Sequence, residues 1–160
     1  MCGVTLLCVG KMKEKYYTDA FAEYQKRLGA FCRFETEEIP EQRLGENPSE
    51  KEIAAALERE AAEIERRIPS GTAVIAMCVE GRQMSSPALA ARLKDWMNAG
   101  KGKFCFIVGG SFGLSERIKA GADLKLSVSE MTFPHHLFRV MLAEQIYRAF
   151  TILEGSRYHK

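Results

Sequence analysis

Phe104-Cys-Phe-Ile-Val108 runs directly into Gly109-Gly110-Ser-Phe-Gly113-Leu114, and Leu124-Lys-Leu-Ser-Val-Ser129 runs into Glu130-Met-Thr-Phe-Pro134-His135-His136. Each half is a short apolar run, of strand length, that ends in residues able to free or fix the backbone. Continuous rather than alternating apolar strands belong to sheets covered on both faces. Two such strand ends side by side in a parallel sheet form a crevice of the kind that binds nucleotide-like ligands. Adjacent glycines let main chain approach a ligand closely, because no Cβ intervenes. Taken alone, the glycine run is equally a tight strand-to-helix turn.

Outward from this stretch, strands and helices alternate. Residues 4–9 form a β-rich run ended by Gly10, and Tyr17, Phe21, Tyr24 and Leu28 make a helical stripe stopped by Gly29. Residues 31–39 read as a weaker strand and 41–48 as a loop. Ser49 and Glu52 have capping-box spacing ahead of a helix reaching about Arg67. Residues 72–79 are a continuous apolar strand, followed by a turn at Glu80-Gly-Arg-Gln83. Ser86 and Pro87 supply an N-cap and a first-turn proline for a helix ending near Gly100. A short helix at 115–120 separates the two opening strands, and a long one spans 135–153. The pattern predicts one α/β domain over residues 1–160, with a mainly parallel sheet and helices on both faces.

The last helix carries apolar residues around much of its circumference, among them Leu137, Val140, Met141, Ile146, Tyr147 and Phe150. Such a helix needs burial on two sides, by the core of its own chain alone or by a partner subunit in a homodimer.

Composition narrows the class. A hydrophobic fraction of 46% and a charged fraction of 28% are those of a soluble globular chain. No apolar run approaches the roughly 20 residues of a membrane span, and the N-terminus lacks a basic leader, so a cytoplasmic location is expected. The five cysteines contain no C-x-x-C pair, which argues against disulfides and metal, and no metal site is expected. Residues 1–70 hold 11 Lys/Arg against 14 Asp/Glu, whereas residues 71–160 hold 12 against 7. The glycine loop therefore lies in the basic half, a mild lean toward an anionic substrate. The G-x-G-x-x-G fingerprint, the G-K-[ST] phosphate loop, G-x-S-x-G and H-E-x-x-H are all absent.

Phe106-Ile-Val-Gly-Gly-Ser-Phe-Gly-Leu114, Leu126-Ser-Val-Ser-Glu-Met-Thr-Phe-Pro-His135, Arg139-Val140, Glu144-Gln-x-Tyr-Arg-Ala149 and the terminal Tyr158-His159 together resemble the RlmH family of SPOUT-class methyltransferases. Val9-Gly10-Lys11 and Glu23-Tyr24 extend the resemblance over essentially the whole chain. It implies methylation of N3 of a pseudouridine in 23S ribosomal RNA on the assembled ribosome, with S-adenosyl-L-methionine as donor. It also implies a C-terminal trefoil knot, within about residues 72–160, a topology that ordinary chain rules exclude. The cofactor contacts it implies are Met77, Gly109 and Val128-Ser129-Glu130-Met131-Thr132-Phe133. For the acceptor, the candidates are His135, Arg139, Tyr158 and His159, to position substrate or handle its proton; Arg139 could equally be structural, and His135 a helix cap. Another RNA target, or a non-catalytic RNA-binding role on the same scaffold, are the competing readings.

Overall fold

A computed structural model describes residues 1–160. In chain order it contains β1 (Cys2–Val9), α1 (Lys15–Leu28), β2 (Cys32–Ile39), α2 (Glu50–Arg67), β3 (Ala73–Gln83), α3 (Ser86–Asn98), β4 (Lys103–Val108), α4 (Glu116–Gly121), β5 (Leu124–Ser127) and α5 (His135–Leu153). The five strands form one sheet in the order β2-β1-β4-β3-β5. Every pairing is parallel, so the sheet is wholly rather than mainly parallel.

The alternation of side chains along each strand sorts the core into two layers. Val4, Leu6 and Cys8 of β1, with Phe104, Phe106 and Val108 of β4, face α1, α3 and α5. Leu7 and Val9, with Cys105 and Ile107, face α2 and α4 through Ala61, Ile64 and Ile118. Both faces are therefore covered, which is why β1, β4 and the first half of β3 are almost continuously apolar, while the edge strand β2 is mostly polar. Cys8, Cys32 and Cys105 lie in these layers, and burial pushes their thiols up to about 12. At neutral pH they are packing groups, not nucleophiles.

Two local expectations change. Residues 80–83 belong to β3 rather than to a turn. The ladder with β5 pairs Met77 with Leu126, skips ahead, and resumes with Arg82 opposite the same Leu126 and Gln83 opposite Ser127. Gly81 sits where a Cβ would come within 2.8 Å of the Leu126 and Lys125 backbone. Its role is close approach between strands, not a reversal of the chain. The cap of α3 is Ser85, whose side chain accepts from the Ala88 N–H at 3.2 Å, with Ser86 already helical.

The sequence anticipates the two-sided burial of α5 only in part. Leu142, Ala143, Ile146, Ala149 and Phe150 pack into the sheet layer. Tyr147 closes against its own chain, with ring centroids 6.3 Å from Tyr24, 5.7 Å from Phe31 and 4.8 Å from Tyr158. Val140 and Met141 remain only half-buried and line a separate apolar groove, of about 540 Å³, with Met84 and Leu89.

Candidate functional site

The C-terminal ends of β3, β4 and β5 open into a cleft of about 530 Å³, within the size range of small-molecule sites. Three segments far apart in sequence meet there: Met77 and Glu80 from β3, the loop 109–114 after β4, and the loop 127–134 after β5.

Main chain shapes this cleft. At Gly109 a Cβ would lie 2.4 Å from the Gly113 carbonyl oxygen, so the loop folds back on itself through a position only glycine can fill. Gly113, at φ +78°, reverses the chain, and its N–H donates to the Gly110 carbonyl at 3.1 Å. At Gly110 a Cβ would meet Glu41 Oε1 at 2.6 Å, and that same oxygen accepts from the Ser111 N–H at 2.9 Å. The glycine loop is thus clasped from the far side of the sheet by the segment after β2. The second loop is tied by its serines: Ser127 Oγ donates to the Ser129 carbonyl at 2.9 Å, and the Met131 N–H donates to Ser129 Oγ at 3.0 Å.

Side chains then set the electrostatics. Met77, Leu126, Phe133 and Phe138 supply apolar wall, and Phe112 and Met131 stand exposed at the mouth. Lys119 of α4 reaches the wall with its side chain 12% exposed and binds Glu80 at 2.5 Å and Glu116 at 2.8 Å. Burial alone would lower its pKa; the two carboxylates outweigh that and hold it above the ordinary lysine value. The hydrogen bond from Lys119 in turn keeps Glu80 below the ordinary carboxylate range. His135 lines the cleft at the start of α5. Burial, with His136 beside it, pushes its imidazole below the ordinary histidine range. At neutral pH it is therefore an uncharged ring with a free lone pair.

Of the residues expected to hold a cofactor, Met77, Gly109, Val128, Ser129, Met131, Thr132 and Phe133 line this one cleft, whereas Glu130 is exposed and does not. Of the acceptor-side candidates, only His135 is there. Arg139 is 2% exposed. Its Nη2 donates to the carbonyls of Val9 at 2.9 Å and Gly10 at 2.6 Å, and its Nη1 to Glu38 at 2.9 Å. It ties α5 to the ends of β1 and β2 and, buried as it is, presents no donor at the surface for an RNA phosphate; its Nε is buried without a partner.

Tyr158 and His159 lie at the other end of α5. The Tyr158 hydroxyl donates to Glu144 Oε1 at 3.0 Å, and burial followed by that carboxylate pushes it up to about 12. Arg148 stacks over the Tyr158 ring at 4.9 Å and donates to His159 Nδ1 at 3.2 Å. Glu144, which holds the Tyr158 hydroxyl, and Arg148 are nine and thirteen residues along α5 from His135, about 13 and 20 Å at the helical rise. One chain therefore does not bring its own tail to its own cleft. Sequence reasoning missed Glu41, Glu80, Lys119 and the Glu14–His136 contact at 2.8 Å. Each acts through a neighbour that only the tertiary fold supplies.

The cleft fits S-adenosylmethionine on two observations. The Gly109–Gly113 turn closes through a contact that no Cβ would allow, which leaves main chain rather than side chain at the wall, and that wall joins apolar surface to the Lys119–Glu80 ion pair, its lysine largely buried and its glutamate exposed. A family described as "Predicted SPOUT methyltransferase" matches residues 3–159. Among solved structures, a probable methylase family protein from Haemophilus influenzae Rd KW20 is 13% identical, with 98% of this chain and 70% of that chain covered and a TM-score of 0.55. A putative methylase family protein from Neisseria gonorrhoeae is 12% identical, covering 91% and 82% of the two chains at a TM-score of 0.52. At these identities the two likenesses speak for the fold alone. No helix is long and apolar enough to cross a membrane, and no three His, Cys, Asp or Glu gather where they could hold a metal.

Proposed function

With the chain a member of the SPOUT methyltransferase family, we propose that it methylates N3 of a pseudouridine in 23S ribosomal RNA, on the assembled ribosome, using S-adenosyl-L-methionine. The observation that carries this is the convergence of Met77, Gly109 and the 128–133 loop on one backbone-built cleft with His135 at its edge. The cofactor, when bound, supplies an electrophilic methyl group on a sulfonium. Everything else is positioning of the acceptor nitrogen in line with it.

The residues of this chain divide that work. The Gly109–Gly113 turn and the serine-tied loop after β5 hold main chain at the cleft wall. N3 of pseudouridine is an imide nitrogen that must lose its proton to attack. The His135 imidazole, kept neutral by burial, is the group at the cleft able to take it. Charge left on the flanking carbonyl oxygens calls for a donor, and the Tyr158 hydroxyl and the His159 ring are of the right chemistry. They reach a cleft only as the tail of a second subunit. A homodimer across the half-exposed Val140–Met141 groove, which shares Leu126 and Val128 with the cleft, is the arrangement that brings them there. Arg139 serves as the brace that fixes α5 to the ends of β1 and β2. The C-terminal trefoil knot belongs to the same proposal. Its support is the family match over residues 3–159.

Incubation with labelled S-adenosylmethionine and ribosomes lacking the modification tests the reaction. Label is expected on N3 of a 23S pseudouridine, and not on a uridine substituted at that position. Label on another nucleotide would remove the acceptor assignment.

A further inference from the structure

The segment between β1 and α1 is pinned to the cleft at both ends. Gly10, at φ +95°, donates to the Ile39 carbonyl at 2.7 Å, and a Cβ there would lie 3.5 Å from the Glu41 carboxylate that holds Ser111 of the glycine loop. At the other end, Glu14 Oε2 lies 2.8 Å from His136 Nδ1, next to the cleft-lining His135. In between, the Met12 N–H donates to Glu38 Oε2 at 2.8 Å. Lys11-Met12-Lys13 thus runs between residues that hold the glycine loop and the start of α5, forming an outer rim beside the residues that line the cleft itself.

Both lysines on this rim are exposed, and the nearby carboxylates are engaged elsewhere: Glu14 with His136, Glu38 with Arg139, Glu41 with Ser111. Beyond them, in the first turn of α1, Tyr16 is 67% exposed and stands against Tyr17 at 4.5 Å between ring centroids. Two exposed ammonium groups outside any ion pair, with an exposed aromatic face beside them, match a single-stranded RNA: phosphates take the cations, and an unstacked base takes the ring.

Resting on the RNA-methylating reading, we propose that the Lys11–Tyr16 rim is the edge along which the RNA strand lies as its target base enters the cleft. Lys11 and Lys13 contact phosphates, and Tyr16 stacks on a neighbouring unpaired base. Because phosphate contacts position the strand and carry no sequence information, this rim fixes register, while the cleft selects the base.

The experiment uses the full chain and ribosomes lacking the methyl group, with ribosome binding, methyl transfer and S-adenosylmethionine affinity measured separately. Replacing both lysines (Lys11→Gln with Lys13→Gln) is expected to weaken ribosome binding about tenfold or more at low salt. The same change should flatten the plot of log affinity against log salt by about 1.5 units, close to the slope carried by two phosphate contacts. Arginine at both positions should restore both values. Tyr16→Ala is expected to weaken binding about tenfold, with Tyr16→Phe close to wild type and cofactor affinity unchanged throughout. An unaltered salt slope in the double variant would overturn the proposal. So would dissociation of a dimer by Tyr16→Ala, which would make the ring an interface group between copies. Salt-dependent, lysine-dependent ribosome binding without methyl transfer would instead sink the methylation reading and leave the RNA rim standing.

Discussion

The cleft at the ends of β3, β4 and β5 and the tail site at the far end of α5 are built by opposite means. In the cleft, glycines and serine-tied turns bring backbone to the surface, and the defining feature at Gly109 is a space 2.4 Å from the Gly113 carbonyl that no Cβ can occupy. At the tail, Glu144, Arg148, Tyr158 and His159 meet through side chains alone. A backbone site tolerates little at its glycines and much around them. A side-chain site loses its function when a few terminal groups go, while the fold stays intact. The two sites therefore respond differently to mutation.

Gly109→Ala should give the largest effect, loss of measurable S-adenosylmethionine binding by calorimetry, since the turn must open to admit the methyl group. Gly113→Ala is its internal contrast. That position has φ +78° but open space around it, so the expected cost is only about 1–2 kcal/mol of backbone strain, read from denaturant unfolding. Retained binding in the first variant would break the distinction between backbone and side-chain sites.

Deleting Tyr158 to Lys160 should lower methyl transfer by about 100-fold or more with cofactor affinity within a few-fold of wild type. Equal losses in both would mean that the tail supports the cleft rather than the acceptor. Arg139→Met should act on stability first. It strips the Val9 and Gly10 carbonyls and Glu38 of their donor, worth about 2–4 kcal/mol in a denaturation midpoint. Lost transfer at unchanged stability would return Arg139 to the acceptor side.

The smallest effect concerns pH. The His135 imidazole titrates below its ordinary value because of burial and His136. As pH falls through about 6.5 the unfolded chain takes up that proton first. The folded state is therefore fully favoured by this group above 6.5 and loses that advantage on the acid side. His135→Gln should flatten the fall of the thermal midpoint between neutral pH and pH 5, and an unchanged slope would assign the acid sensitivity elsewhere.

The same contrast explains what was legible in the sequence. Strand ends and glycine spacing announce a backbone site, and the order of elements followed from apolar runs punctuated by Gly10, Gly29, Gly71 and Gly100. Gly81 misled, because a glycine needed for close approach to Leu126 is indistinguishable in sequence from one that turns the chain. Tyr147 and Arg139 each left two readings open for a related reason: their types suit an interface or a phosphate as well as a packed position, and Tyr24, Phe31 and the β1 carbonyls that lie against them are distant in sequence. Glu41 carried no signal, since it matters only for the Ser111 N–H that it holds seventy residues away, and Lys119 showed in sequence only its i,i+3 partner Glu116, not Glu80.

Titration of S-adenosylmethionine into the intact chain, the Gly109→Ala variant and the chain lacking Tyr158 to Lys160 tests the central claim most directly. Saturable binding to the first and third, with none to the second, is the predicted result. No binding to the intact chain, or equal affinity in all three, would contradict it.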